Sequence, residues 1–207
     1  MAGTSDIDAS AAPAPSEIPE RIHTQLPDTR LSRSLDHFVL RVGRIASWLW
    51  LLLMGVILLN VVLRYSFGEG RIELEELQWH LYSVAFLMAL SFGVVTDDHI
   101  RVDLLHERFS LRQQAWIEVY GSLLLMLPFL ALVLIYSVPF VLYSYAAAEV
   151  SQAPGGLPYR WLIKAALPVG FVFLALPVLA RLSRATALLF GYPKPLRPAP
   201  VATEARN

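Results

Sequence analysis

The sequence predicts an all-α membrane protein: four transmembrane helices, both termini cytoplasmic, and a short helical cytoplasmic segment between helices two and three. Three observations predict it. Hydrophobic residues make up 56 % of the 207 residues and charged residues 16 %, where a soluble domain carries about 25 % charge. Four apolar stretches approach or exceed the ~20 residues that a helix needs to cross ~30 Å of hydrocarbon. Lys and Arg, finally, divide unevenly between the two sides that four spans would create.

Residues 1–33 are rich in Ala, Pro and Ser, with prolines at 13, 15, 19 and 27. Such a segment has little to bury and is expected to be a disordered cytoplasmic extension. No apolar core follows the amino terminus within the first 30 residues, so a secretory signal peptide is not expected. The membrane domain is placed at 34–191, with spans at about 45–63, 77–95, 116–143 and 161–180. The first two hold no acid, Lys or Arg; Glu118 lies near the start of the third and Lys164 near the start of the fourth. Pro128, Pro139, Pro168 and Pro177 fall inside the last two, where lipid-buried helices tolerate them if the freed carbonyls are satisfied locally. The tail, 192–207, has the composition of the amino-terminal extension and is expected to be disordered as well.

Orientation follows from the basic residues. Five precede or include Arg44, three lie in 96–115 and five follow from Arg181, against two in 64–76 plus Arg160 and Lys164, so the split is thirteen to four. The positive-inside rule puts the richer side, with both termini, in the cytoplasm. An even number of spans independently requires both ends on one side. With a formal net charge of zero, a field that would gather nucleic acid is not expected. There is no cysteine, which excludes disulfides, thiolate metal sites and cysteine nucleophiles.

The polar stretch "DDHIRVDLLHERFS" (97–110) falls in the cytoplasmic loop between spans two and three. On a helix, His99, Asp103 and His106 share one face, and imidazole with carboxylate could hold zinc. Ile100, Leu104 and Leu111 project with that face, however, which suits packing at the headgroup layer. His99, Arg101, Asp103 and Arg108 are therefore candidates for a cytoplasmic interface, the arginines as anchors to anionic membrane lipids. No metal, cofactor or catalytic residue is expected. On the outer side Glu69, Glu73, Glu75 and Glu76 cluster beside Trp79 and His80. They are either a solvated helix start, favoured by the helix dipole, or a docking surface; the docking candidates are Glu73, Glu75, Glu76 and Arg160. Asn60 is the amide deepest in a span. It either bonds across to a partner helix or bonds its own backbone.

Several stretches resemble one family. "NVVLRYSF" (60–67), "LEEL" (74–77), "HIRVDLLHERFS" (99–110) and "AAAEVSQAPGGLPYRWLIKAALPVGF" (146–171) are similar to the small membrane subunit, the DctQ family, of tripartite ATP-independent periplasmic (TRAP) transporters, over about Leu35 to Arg184. The resemblance implies a bacterial inner-membrane complex. A periplasmic substrate-binding protein captures an organic acid, often a carboxylate, and a large membrane subunit moves it inward on a sodium gradient. The small subunit is expected to support the large one laterally, without substrate or sodium ligands of its own. The other classes weighed fit less well. A haem-binding bundle needs facing histidine pairs, and only His80 lies in a span. A generic four-span scaffold or assembly subunit of another complex is the alternative.

Overall fold

The structure, a computed structural model, describes residues 26–96 and 109–196. Among them are six α-helices: α1 (Arg30–Ala46), α2 (Trp48–Phe67), α3 (Ile72–Thr96), α4 (Leu111–Tyr120), α5 (Leu127–Ala146) and α6 (Trp161–Phe190). A π-helical stretch, Gly121–Met126, joins α4 to α5. The helical stretches 30–67, 72–96, 111–146 and 161–190 are the four, among the described residues, long and apolar enough to cross a membrane. The four expected spans are there, each extended at one end or both.

The extensions have local causes. Where the sequence places the domain's start at residue 34, α1 is already helical from Arg30. The Thr29 side chain accepts from Ser32 N–H at 3.0 Å and Ser32 Oγ accepts from Thr29 N–H at 3.1 Å, which satisfies N–H groups that a helix start otherwise orphans. Ser110 and Gln113 make the same reciprocal cap on α4. α6 runs ten residues past the expected end at 180 because its charged residues there find partners inside the protein. Arg184 meets Asp36 of α1, and Asp28 at 3.2 Å. Arg181 meets Glu118 of α4 at 3.6 Å and donates to the Val94 carbonyl of α3. Hydropathy ends a span at such residues; paired charges let the helix continue.

The π stretch lies just before Pro128. Proline has no N–H to return to the preceding turn and its ring crowds the carbonyl four residues back; a wider turn immediately upstream relieves that crowding.

α6 is the centre of the bundle and packs on α5, α3, α1 and α4, whereas α2 touches α3 and the end of α1. Lipid tails are as apolar as leucine, so helices associate in a bilayer through close packing, and small residues favour it. α6 supplies them. Ala180 and Ala185 are fully buried, and a Cβ at Gly170 would stand 2.8 Å from Leu87 Cβ, so α3 and α6 meet this closely only over a glycine. Val94, Leu130, Leu174 and Val178 form one core cluster, and Leu26, Ala115 and Ala185 another nearer the termini. An antiparallel bridge joins Thr29 to Pro195, and Leu196 N–H donates to the Asp28 carbonyl at 2.8 Å, so the two ends of the described chain are tied together.

Candidate functional site

The most organised polar region lies at the opposite end of the bundle, where the α5–α6 turn (147–160) folds over the start of α3. The turn is shaped by its backbone. Ala148 and Tyr159 sit at φ 45 and 60°, and Gly155 at 78°, the left-handed region that side chains other than glycine rarely adopt. Glu149 N–H returns to the Ser144 carbonyl at 3.0 Å, Gly156 N–H to Ala153 at 2.9 Å, and Arg160 N–H to Glu149 at 3.1 Å. A Cβ on Gly156 would stand 2.5 Å from Ser151 Cβ and 2.9 Å from Glu76 Oε1, so only glycine fits the crossing.

Two carboxylates rivet this turn to the helices. Glu76 of α3 accepts from Ser151 Oγ–H with one oxygen and from Leu157 N–H, at 2.6 Å, with the other. Glu149 accepts from the Lys164 ammonium of α6 and lies 3.9 Å from Arg160 Nε. The Lys164 contact holds the Glu149 carboxyl below the usual glutamate range, because a hydrogen-bonded cation stabilises the charged form. The same ammonium stands 4.2 Å from the centre of the Phe140 ring, a cation–π contact to α5. Three helices are thus fastened through one turn.

Beside the rivets is a cavity of about 200 Å³ lined by Glu76, Trp79, His80, Ser151, Leu157, Arg160 and Ile163. His80 Nδ1 is 2.6 Å from the Glu76 carbonyl. A carbonyl only accepts, so Nδ1 carries the proton.

Of the docking candidates, Glu76 is engaged within the chain, Glu75 faces Arg64 at 3.7 Å, Arg160 leans on Glu149, and Glu73 is exposed at the rim. Glu69 pairs with Arg71 at 3.0 Å. Most of the acidic character is balanced inside the chain, and the surface presented is a rigid turn flanked by exposed Trp79 and Tyr159. Asn60 lies on the buried stripe of α2 with Leu53 and Val56, and its Oδ1 meets no donor among the described residues. His99, Arg101, Asp103 and Arg108 lie outside the described residues, as does the short helix expected there. Sequence reasoning missed Glu149, Ser151 and Lys164. The signal available was that Glu149 is the only acid in 144–160 and Lys164 the only lysine within a span, two opposite charges at one membrane depth.

No similar sequence was found among curated proteins. The profile of one family, described as Tripartite ATP-independent periplasmic transporters, DctQ component, matches residues 53–188.

Proposed function

The chain belongs to the DctQ component family of tripartite ATP-independent periplasmic transporters, and on that premise we propose that it is the small subunit that supports a large permease subunit in sodium-driven uptake of an organic acid, a carboxylate, delivered by a periplasmic binding protein. It is a transporter component, not an enzyme, and a multi-pass protein of the inner membrane. The observation that carries the supporting role is the fate of the charges. Among the described residues Glu118 meets Arg181, Asp36 meets Arg184 and Glu149 meets Lys164. A carboxylate crossing lipid needs its lost hydration replaced by converging polar ligands. Here the charges converge on one another, and the outer faces are apolar.

The proposed orientation has the termini in the cytoplasm, on the thirteen-to-four distribution of basic residues. The riveted turn then faces the periplasm. There Glu73, Glu75 and Arg160, with Trp79, are the proposed contact for the binding protein. The stretch holding His99, Arg101, Asp103 and Arg108 would face the cytoplasm, and Asn60 is proposed to bond a helix of the large subunit through its free oxygen. Because the chain has no cysteine, single substitutions report sidedness cleanly. Gly70→Cys and Gln152→Cys should react with an impermeant thiol reagent on intact cells and Lys194→Cys should not; the reverse pattern inverts the topology. Co-expressed with the large subunit, the chain should purify with it in equal amount, and failure to do so refutes the supporting role.

A further inference from the structure

We propose that α1 is a docking helix for anionic phospholipid headgroups, seated on the membrane surface at the end of the bundle that carries the termini. The helix has three distinct faces. Ser32, Asp36 and Val39 are buried and, with Gly43, recur at spacings of four, three and four, which is one helical stripe. That stripe lies against protein: Thr29 at its start bonds Ser183 of α6 at 3.0 Å, Asp36 holds Arg184, and Gly43 abuts Phe92 of α3. The helix therefore crosses from α6 to α3.

The second face is basic. Arg30, Arg33, His37, Arg41 and Arg44 recur at spacings of three and four, and all are exposed. No acid of α1 shares that face, because its single acid, Asp36, is turned inward. Asp28, just before the helix, is 3.2 Å from Arg184 and also pairs with Arg33 at 3.9 Å. Arg30, Arg41 and Arg44 make no ion pair with any described residue. His37 turns its Nδ1 to the Arg33 carbonyl at 2.8 Å, so its ring lies along the helix among the arginines.

The third face, between the other two, is apolar and exposed. Leu31, Phe38 and Ile45, at spacings of seven, are 52 %, 53 % and 67 % exposed. A helix with a protein side, a lipid-apolar side and a cationic side is satisfied in one place, the boundary between headgroups and acyl chains. Water would leave Leu31, Phe38 and Ile45 wet, and hydrocarbon would bury four arginines. Exposed Trp48, 69 % accessible where α1 gives way to α2, fits the same depth, since indoles favour that layer. Charge selects the headgroup: Arg30, Arg41 and Arg44, which have no acid partner among the described residues, and Arg33 beside them attract phosphate-bearing lipids with net negative charge over zwitterionic ones.

The test uses the full chain in nanodiscs of equimolar phosphatidylcholine and phosphatidylglycerol, with native mass spectrometry counting the lipids that stay bound. Nanodiscs expose both surfaces, so the result is independent of topology. The wild type should retain phosphatidylglycerol over phosphatidylcholine by about tenfold or more. The triple variant Arg30→Gln, Arg41→Gln, Arg44→Gln should bring the ratio close to one, while Arg64→Gln with Arg71→Gln, at the other end, should leave it unchanged. Replacing the same three arginines by Lys keeps the charge and should keep the preference. Should the Gln triple fail to fold, salt on the wild type decides, because a headgroup field is screened within about 8 Å at physiological ionic strength and less at higher salt. No lipid preference in the wild type overturns the proposal. So does a preference that survives the Gln triple, that is lost with Lys, or that ignores salt.

Discussion

α2 and α6 are nearly equal in apolar character, yet they do opposite things. α6 buries nine residues, among them Gly170, Ala180, Ala185 and Ala187, and is touched on most sides. α2 buries three, Leu53, Val56 and Asn60, and leaves Leu51, Leu52, Met54, Leu58 and Leu59 exposed. In water, α2 would be a failure of folding. In a bilayer an exposed leucine costs nothing, and what separates a central helix from a peripheral one is whether its small residues let neighbours come close. The difference teaches that hydropathy locates a span, whereas side-chain size and charge partners decide whether it is core or outer surface.

The largest effect that would sharpen this contrast comes from charge. Arg184→Gln leaves Asp36 buried without its cation, and the chain should lose about 3 kcal/mol, read as a lower melting temperature in detergent. Adding Asp36→Asn should recover most of it, since the orphaned charge is then gone. If Arg184→Gln melts like the wild type, the charge pair is not what extends α6 past its span. Next comes volume. Ala180→Leu, at a site with no exposure, should cost about 1–3 kcal/mol by overpacking. Gly55→Leu on α2, where an added Cβ meets nothing within 4 Å, should leave stability unchanged or raise it by up to about 1 kcal/mol. Equal losses at the two sites would erase the distinction between the helices.

Smaller effects belong to the riveted turn. Gly156→Ala forces contact with Ser151 and Glu76 and should speed limited proteolysis within 147–160 while the spans stay intact. Acid should do the same. The folded carboxyl of Glu149 lies below its ordinary value of 4.5 because of Lys164, so its stabilising contribution is complete above that value and is lost as pH falls through the lowered one. Protease protection of the turn should therefore hold from neutral pH to about 4.5 and be lost progressively as pH falls further. In Lys164→Met the turn should be weaker at neutral pH and lose less on acidification.

The four spans were legible because about 20 apolar residues in a row have few other uses. Their true ends were not. Arg181 and Arg184 look like stop signals until Glu118, Asp36 and Asp28, 63 to 156 residues away in the chain, are known to face them. The cap at Ser110 and Gln113 has a sequence signature, but the π turn before Pro128 has none beyond the proline itself. At the candidate site the glutamates of 73–76 were visible as a charged cluster. That Glu76 serves as a clamp was not, because its partners are the hydroxyl of Ser151, 75 residues away, and the Leu157 backbone N–H, a donor every residue but proline possesses.

The central claim, that this chain supports transport without offering the solute a path, is tested most directly by sodium-driven uptake of a labelled carboxylate into proteoliposomes. The components are the chain, its large subunit and the binding protein, together and with each omitted. The chain alone should pass no solute, the complete set should accumulate it, and omitting the chain should abolish or strongly reduce that accumulation. Flux through the isolated chain, or full uptake by the large subunit and binding protein without it, would contradict the account.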